Sequence, residues 1–267
     1  MAVAKKQLFL NYKGGTGKTS ISSAYGYCLA KRGAKVLMID MDAQAHLTTC
    51  LNQEAVHHDK SLYSVIVKGE NILNVISDTA LPNLKLIPSS ISLSALELPL
   101  FSMPMRELML RRALKPAEGK FDYIIIDSAP SIGLVSLNAI LASDEVLVPL
   151  LADFLSFHGL KILLETLSSI EKDFQYYLNG IHIFLNRYNS NYPICAECKE
   201  AVDKYYPEYS LKTVIGESQE IIDASSTGKS IFELYPNSKI VEDIKNLVDE
   251  VNSAIGKETK DEEKVRV

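Results

Sequence analysis

The sequence predicts an α/β fold: one doubly wound, mostly parallel twisted sheet with helices on both faces. Three observations carry that expectation. Short apolar runs alternate with longer stretches of helical period. Several runs are apolar almost without interruption, as in VLMID, YIIID and EVLVP. Such runs, rich in Ile, Leu and Val, suit strands buried on both faces. A glycine-rich segment follows the first run and opens a helix, as a loop at the carboxyl edge of a parallel sheet would.

The elements follow in order. Strands are expected at Gln7–Asn11, Lys35–Asp40, Leu84–Pro88, Tyr123–Asp127, Glu145–Pro149, Ile181–Asn186 and Lys212–Ile215. Helical patterns occupy Lys18–Arg32, Pro104–Leu114, Leu134–Ala142 and Gly159–Asp173. Strand–helix alternation of this kind implies crossover connections and a parallel sheet. Leu51–Thr79 shows no clear period. No Gly/Ser/Pro-rich linker divides the chain, so residues 1–256 read as one domain. Residues 257–267 are almost all charged and are expected to form a frayed, disordered tail.

Composition sets outer limits. The chain has 267 residues, 47% hydrophobic and 23% charged, which excludes collagen-like, disordered and small disulfide-rich classes. Residues 216–267 carry 12 acidic and 7 basic side chains, so they account for the whole formal charge of −5. With pI near 5.6 the protein is not coated with basic charge for nucleic acid, though a local basic patch stays open. Four cysteines are an ordinary cytosolic number. The first residues lack the apolar stretch of a signal peptide, and no window spans a membrane. A cytoplasmic protein is expected.

Chemistry concentrates in the glycine-rich segment, Lys13-Gly14-Gly15-Thr16-Gly17-Lys18-Thr19. Glycines let backbone N–H groups turn towards an anion, and the helix N-terminus adds partial positive charge. Lys18 can reach terminal phosphates and the Thr19 hydroxyl can ligate Mg²⁺. The general pattern G-x-x-x-x-G-K-[ST] would put glycine at Tyr12; here a second lysine, Lys13, precedes the glycine pair. Two lysines this close need separate anionic partners. Asp40 and Asp42 leave the second strand at i and i+2, on one side of it. Asp127 ends an apolar strand as a Walker B carboxylate does.

Lys13–Thr19, with the segment Asp40–Gln44 and Asp127-Ser128-Ala129-Pro130-Ser131, resembles the ParA/MinD family of deviant Walker A ATPases, within the P-loop NTPase-like folds. The family hallmark is KGG-x-GK-[TS]. The resemblance implies ATP and Mg²⁺, with Gly14, Gly15, Thr16, Gly17, Lys18, Thr19 and Ser20 around the nucleotide. It implies that Lys13 reaches the phosphates of a second subunit in an ATP-dependent homodimer. Asp42 would position the attacking water, and Thr19, Asp40 and Asp127 would form the Mg²⁺ environment. Asn186, at the end of Phe184-Leu185-Asn186-Arg187, would contact adenine; its other reading is a strand-end cap. Ile215 is assigned to the same nucleotide set.

Thr213–Ala224 resembles the ParA-branch segment T-V-I-P-R, with a further basic residue three positions on. Here those basic positions fall on Glu217 and Glu220, and the proline on Gly216. Carboxylates repel phosphates, so the usual nonspecific DNA site does not carry over. DNA could still bind elsewhere, with Lys199, Lys204, Lys212, Lys229 and Lys239 as candidates. The implied function is partition of DNA or positioning of a protein cargo by slow ATP hydrolysis, accelerated by a ParB-like or other partner. Two alternatives stand beside it: a regulatory switch without DNA, and a metal-cluster carrier using Cys195 and Cys198. The latter pair also reads as partly buried core cysteines. His57 and His58 read as solvated loop. Residues 253–267 have too few large apolar groups for a membrane anchor.

Overall fold

The computed structural model describes residues 3–51 and 60–265. Strands β1 (Lys5–Phe9), β2 (Val36–Met41), β3 (Ser77–Asp78), β4 (Leu84–Ile87), β5 (Tyr123–Ser128), β6 (Glu145–Leu151) and β7 (Gly180–Asn186) form one sheet. Their spatial order is β3-β4-β2-β5-β1-β6-β7. Only the short edge pair β3–β4 is antiparallel. The order reverses around β1, so the loop after β1 lies at the switch point where α/β sheets bind ligands.

Both faces of the sheet are packed, as the continuous apolar runs require. Leu8, Leu37, Ile39, Ile124, Ile126, Val146 and Ile183 enter one core. Their alternating neighbours Phe9, Val36, Met38, Ile125, Leu147 and Phe184 enter the other. Helix α1 (Lys18–Lys31) and the long α11 (Lys239–Val265) cover the second face and touch one another. The first face is covered by short helices, among them α3 (Leu62–Lys68), α5 (Met109–Leu114) and α6 (Leu134–Leu141), with α7 (Phe154–Phe174) beside them. With its two-residue periodicity, each of these strands feeds both cores.

Some expectations need correction. Lys212–Ile215 is not a strand. It runs beside β7 with isolated bridges at Ser210 and Gly216 only. Between those bridges the chain runs from Ile183 in β7 to Tyr188, two residues past its end, while the neighbour takes one residue more. The Glu250 carboxylate accepts the N–H groups of Lys212 and Thr213 at 2.7 and 2.8 Å, drawing them out of the ladder. The helix expected over Pro104–Leu114 starts as a 3-10 turn at Arg106, because Met105 takes a left-handed φ of 53°. Helix α7 starts five residues earlier than its pattern, where Asp153 accepts the Ser156 N–H and caps it. Leu51–Thr79 contributes α3, a 3-10 turn and β3; His57 and His58 lie outside the described residues. Helix α11 runs through Val265, into the charged end. Lys and Glu, which dominate it, are good helix formers that can prolong a helix already anchored by packing.

Candidate nucleotide site

The carboxyl ends of β1, β2, β5 and β7 meet at the loop Tyr12–Gly17. Gly15 and Gly17 take φ values of 75° and 86°, which a side chain resists. A Cβ at Gly17 would also run into the Asn186 amide. The Lys18 ammonium is buried and donates to the Lys13 carbonyl at 3.3 Å. Burial holds its pKa below the ordinary lysine value, against the attraction of Asp127 and Asp42. A buried cation short of anionic partners is a poised phosphate ligand. Gly14, Gly15, Gly17, Lys18, Thr19 and Ser20 line a cleft of about 380 Å³ together with Asp42, Gln44, His46, Ser128 and Pro130.

Lys13 is turned away from that cleft. Its ammonium donates to both Asp153 oxygens at 3.0 and 2.8 Å and to Ser156 Oγ at 3.0 Å. Asp153 is partly desolvated, which raises its pKa, but the bonds from Lys13 and Ser156 win and hold it below the usual carboxylate range. Asp153 and Ser156 escaped the sequence reading. An N-capping Asp-x-x-Ser was visible there, but nothing local connects it with a lysine 140 positions away.

Asp127 is fully buried and accepts Thr19 Oγ1 at 2.7 Å and Ser22 Oγ at 3.1 Å. Burial and the neighbouring charge of Asp40 push its carboxyl up to about 7. Burial likewise pushes Asp40 up to about 6. Two buried carboxylates facing each other across adjacent strands, with a threonine hydroxyl between one of them and the cleft, fit a divalent cation. Thr19 and Asp127 are therefore the residues that would hold Mg²⁺.

Asp40 needs a finer assignment than metal ligand. It does not line the cleft. One oxygen accepts Asp42 N–H at 3.0 Å; the other accepts the N–H and hydroxyl of Thr48 at 2.8 and 2.7 Å. Its lone pairs are committed to holding the loop that carries Asp42. Asp42 does line the cleft, and one oxygen accepts Gln44 N–H at 2.9 Å.

A second groove, of about 220 Å³, shares Gly15, Gly17 and Ser20 with the cleft and continues past Asn186, Gly216, Ser218 and Ile221. Asn186 lies on its wall, but its amide donates to the Thr16 carbonyl at 2.7 Å and its oxygen accepts Arg187 N–H at 2.9 Å. Through these bonds Asn186 braces the phosphate loop. Ile215 is fully buried, with its backbone bonded to Leu185 and Tyr188, and it does not line the groove. Gly216 does. A larger cavity of about 730 Å³ opens around His182 at the other end of β7. It has neither phosphate loop nor switch point, so the smaller paired grooves are the site.

Glu217 is exposed and accepts from Asn189 at 3.4 Å; Glu220 accepts from Ser218 at 3.3 Å and from Ser238. Both carboxylates thus have local partners. Cys195 and Cys198 are buried on α8 (Pro193–Tyr205). Burial pushes the Cys198 thiol pKa up. Among the described residues no three His, Cys, Asp or Glu side chains gather as a metal-holding group. Buried thiols suit the core-cysteine reading. No helix among the described residues is long and apolar enough to cross a membrane.

Fold and site together define a P-loop nucleotide hydrolase with two loop lysines. Comparison with known proteins narrows that class. A family model described as an AAA domain matches residues 4–180. The chain is 43% identical to the cell division protein PomZ of Myxococcus xanthus, over 92% of this chain and 77% of that one. It is 34% identical to the sporulation initiation inhibitor protein Soj of Bacillus subtilis, over 90% and 95% of the two chains. An ATP complex of an aspartate-to-alanine variant of McdA from Cyanothece matches it with a TM-score of 0.85 at 28% identity, over 95% and 96%. The chain belongs to the ParA/MinD family of deviant Walker A ATPases, in the ParA branch. It is an ATPase of the partition and positioning kind, with ATP as substrate and Mg²⁺ as its metal.

Proposed function

We propose that the protein is a nucleotide-timed positioning switch in which Lys13 is the moving part. The observation that carries this is the Lys13–Asp153–Ser156 cluster: the loop's second cation is parked outside its own cleft. With ATP bound, Lys13 leaves Asp153 for the phosphates held by a second copy, and the interface lasts while the triphosphate does. Lys18 and the loop N–H groups hold the phosphates, and Asp42 orients the water. Mg²⁺, when bound at Thr19 and Asp127, neutralises phosphate charge. Hydrolysis to ADP and phosphate removes the γ-phosphate that Lys13 grips, and the dimer parts. Slow turnover accelerated by a partner protein would set the lifetime.

The names of the relatives support a positioning role, in cell division for PomZ. Glu217 and Glu220, satisfied by neighbouring side chains, favour a second reading in which the dimer acts on a protein without using that segment for DNA. Measuring the size and ATPase rate of Lys13→Ala tests the core of the proposal. The variant should bind ATP, remain monomeric and hydrolyse at least tenfold more slowly, roughly the loss of one charge-assisted phosphate contact. An ATP dimer of normal affinity in this variant would overturn it.

A further inference from the structure

Some surface cations are matched by carboxylates: Arg32 pairs with Asp249, Lys85 with Asp78, Lys161 with Glu165 and Lys199 with Asp203. Residues 106–120 instead concentrate an excess of cations. They hold five basic side chains against two acidic ones, in a chain whose total is −5. The two acids are already taken, Glu107 by Arg106 at 3.0 Å and Glu118 by Lys6 at 3.5 Å. Arg111, Arg112, Lys115 and Lys120 are exposed, and none has a carboxylate partner among the described residues.

The backbone gathers these charges. Helix α5 runs into a 3-10 turn at Lys115–Ala117, and Leu110, Leu114 and Ala117 are buried beneath it. Arg111 and Lys115 are four apart and Arg112 and Lys115 three apart, so all three project from the outer face. The helix is pinned by Asn138, which accepts Leu110 N–H at 3.0 Å and donates to the Arg106 carbonyl at 2.8 Å. The Arg111 guanidinium lies 4.5 Å from the Tyr176 ring, whose hydroxyl is bonded to the Ser143 carbonyl. The helix dipole favours cations in its last turn but does not account for Lys120 beyond it.

The patch also has a telling position. Lys6, Ser143 and Asp144 adjoin the starts of β1 and β6, so it lies at the sheet end opposite the phosphate loop. A ligand held there leaves the nucleotide cleft and Lys13 uncovered for a second copy. Residues 106–120 contain no Asn or Gln to read base edges. Arg and Lys alone suit phosphate contacts without sequence preference.

We propose that this α5 face, and not the segment around Glu217 and Glu220, is where the ATP-bound dimer holds the phosphate backbone of duplex DNA. The inference rests on the dimer switch described above. The two faces of a dimer joined at the phosphate loops point to opposite ends, so each holds DNA by itself with three to four contacts and a salt slope of about −3.

The test uses the full chain with Mg-ATP and a random-sequence duplex of about 30 base pairs, across a salt series, with particle size and ATPase rate followed in parallel. Arg112→Glu with Lys115→Glu should lower DNA affinity at least about tenfold and flatten the slope by about 2. The dimer and basal ATPase should be retained. Arg112→Gln with Lys115→Gln should move both quantities in the same direction by less, which guards against a folding defect in the reversal. Lys161→Glu with Lys199→Glu, the same charge change elsewhere, should cost clearly less. Wild-type affinity and slope in the α5 variants would overturn the proposal, as would equal losses in the control. A wild-type dimer that ignores duplex DNA, or binds phosphatidylglycerol vesicles instead, also overturns it and leaves the switch standing. Failure to form any ATP dimer contradicts the switch itself.

Discussion

Lys13 and Lys18 belong to one loop and have opposite surroundings. Lys18 is buried with only a carbonyl to bond, so removing it should remove phosphate affinity itself. Lys18→Ala is expected to abolish nucleotide binding by calorimetry; ordinary ATP affinity would refute the assignment. Lys13 has a carboxylate and a hydroxyl in its own chain. Freeing it with Asp153→Asn should favour the dimer, modestly. The pair is about two-fifths exposed, so it is worth about 0.2–1 kcal/mol per protomer, and with two pairs freed the gain in dimerisation affinity is at most about thirtyfold by analytical ultracentrifugation. Unchanged or weaker dimerisation would mean that Asp153 does not restrain Lys13. His182 supplies the pH dependence at this scale. Burial keeps it neutral, lowering its pKa to about 4 from 6.5. The charge of Glu250 opposes this, and burial prevails; Glu145, 4.0 Å away, accepts Gln7 Nε2 at 2.7 Å. Below pH 6.5 the unfolded chain takes up a proton that the folded chain refuses. The contribution of His182 should therefore fall by about 3 kcal/mol between pH 7 and pH 4, against the opposite trend of Asp127 and Asp40, and is read as the difference between the urea-denaturation profiles of the wild type and His182→Leu.

At the scale of elements, the capping and bracing contacts are what the sequence hides. Strands β2, β5 and β6 were legible because burial on both faces leaves a continuous apolar run. The phosphate loop was legible because glycine and lysine spacing is local. Lys212–Ile215 looked like a strand by the same apolar criterion, and only Glu250, on a distant helix, decides otherwise. Glu250→Ala would leave two backbone donors to water, and should cost about 1–3 kcal/mol in denaturant titrations. No measurable loss would show that the sheet edge does not depend on it. Asn186 and Asp40 fall in the same category. Their residue types and positions were readable, but whether an amide faces a base or a loop carbonyl is set by contacts from strands far apart in sequence. Gly216 is similar. Where the resemblance expects proline, its N–H donates to Asp243 at 2.9 Å, a bond proline could not make.

The molecule as a whole is a sheet with the nucleotide site at one end and the basic α5 face at the other. Its catalytic edge is assembled from four strands, yet one of its two loop lysines does not face its own cleft. A chain built this way gains its function by pairing. Acidic charge is concentrated after residue 216, so the basic α5 face is set apart from the carboxylates at Glu217 and Glu220. The central claim is that ATP and Lys13 together make a dimer which hydrolysis dissolves. Asp42→Ala should hold ATP without turning it over. The most direct measurement is the mass of Asp42→Ala by light scattering with Mg-ATP, with Mg-ADP, and with Lys13→Ala added. The account predicts a stable dimer with ATP, monomer with ADP, and monomer with either nucleotide once Lys13 is removed. A monomer in ATP, or a dimer indifferent to nucleotide and to Lys13, would contradict it.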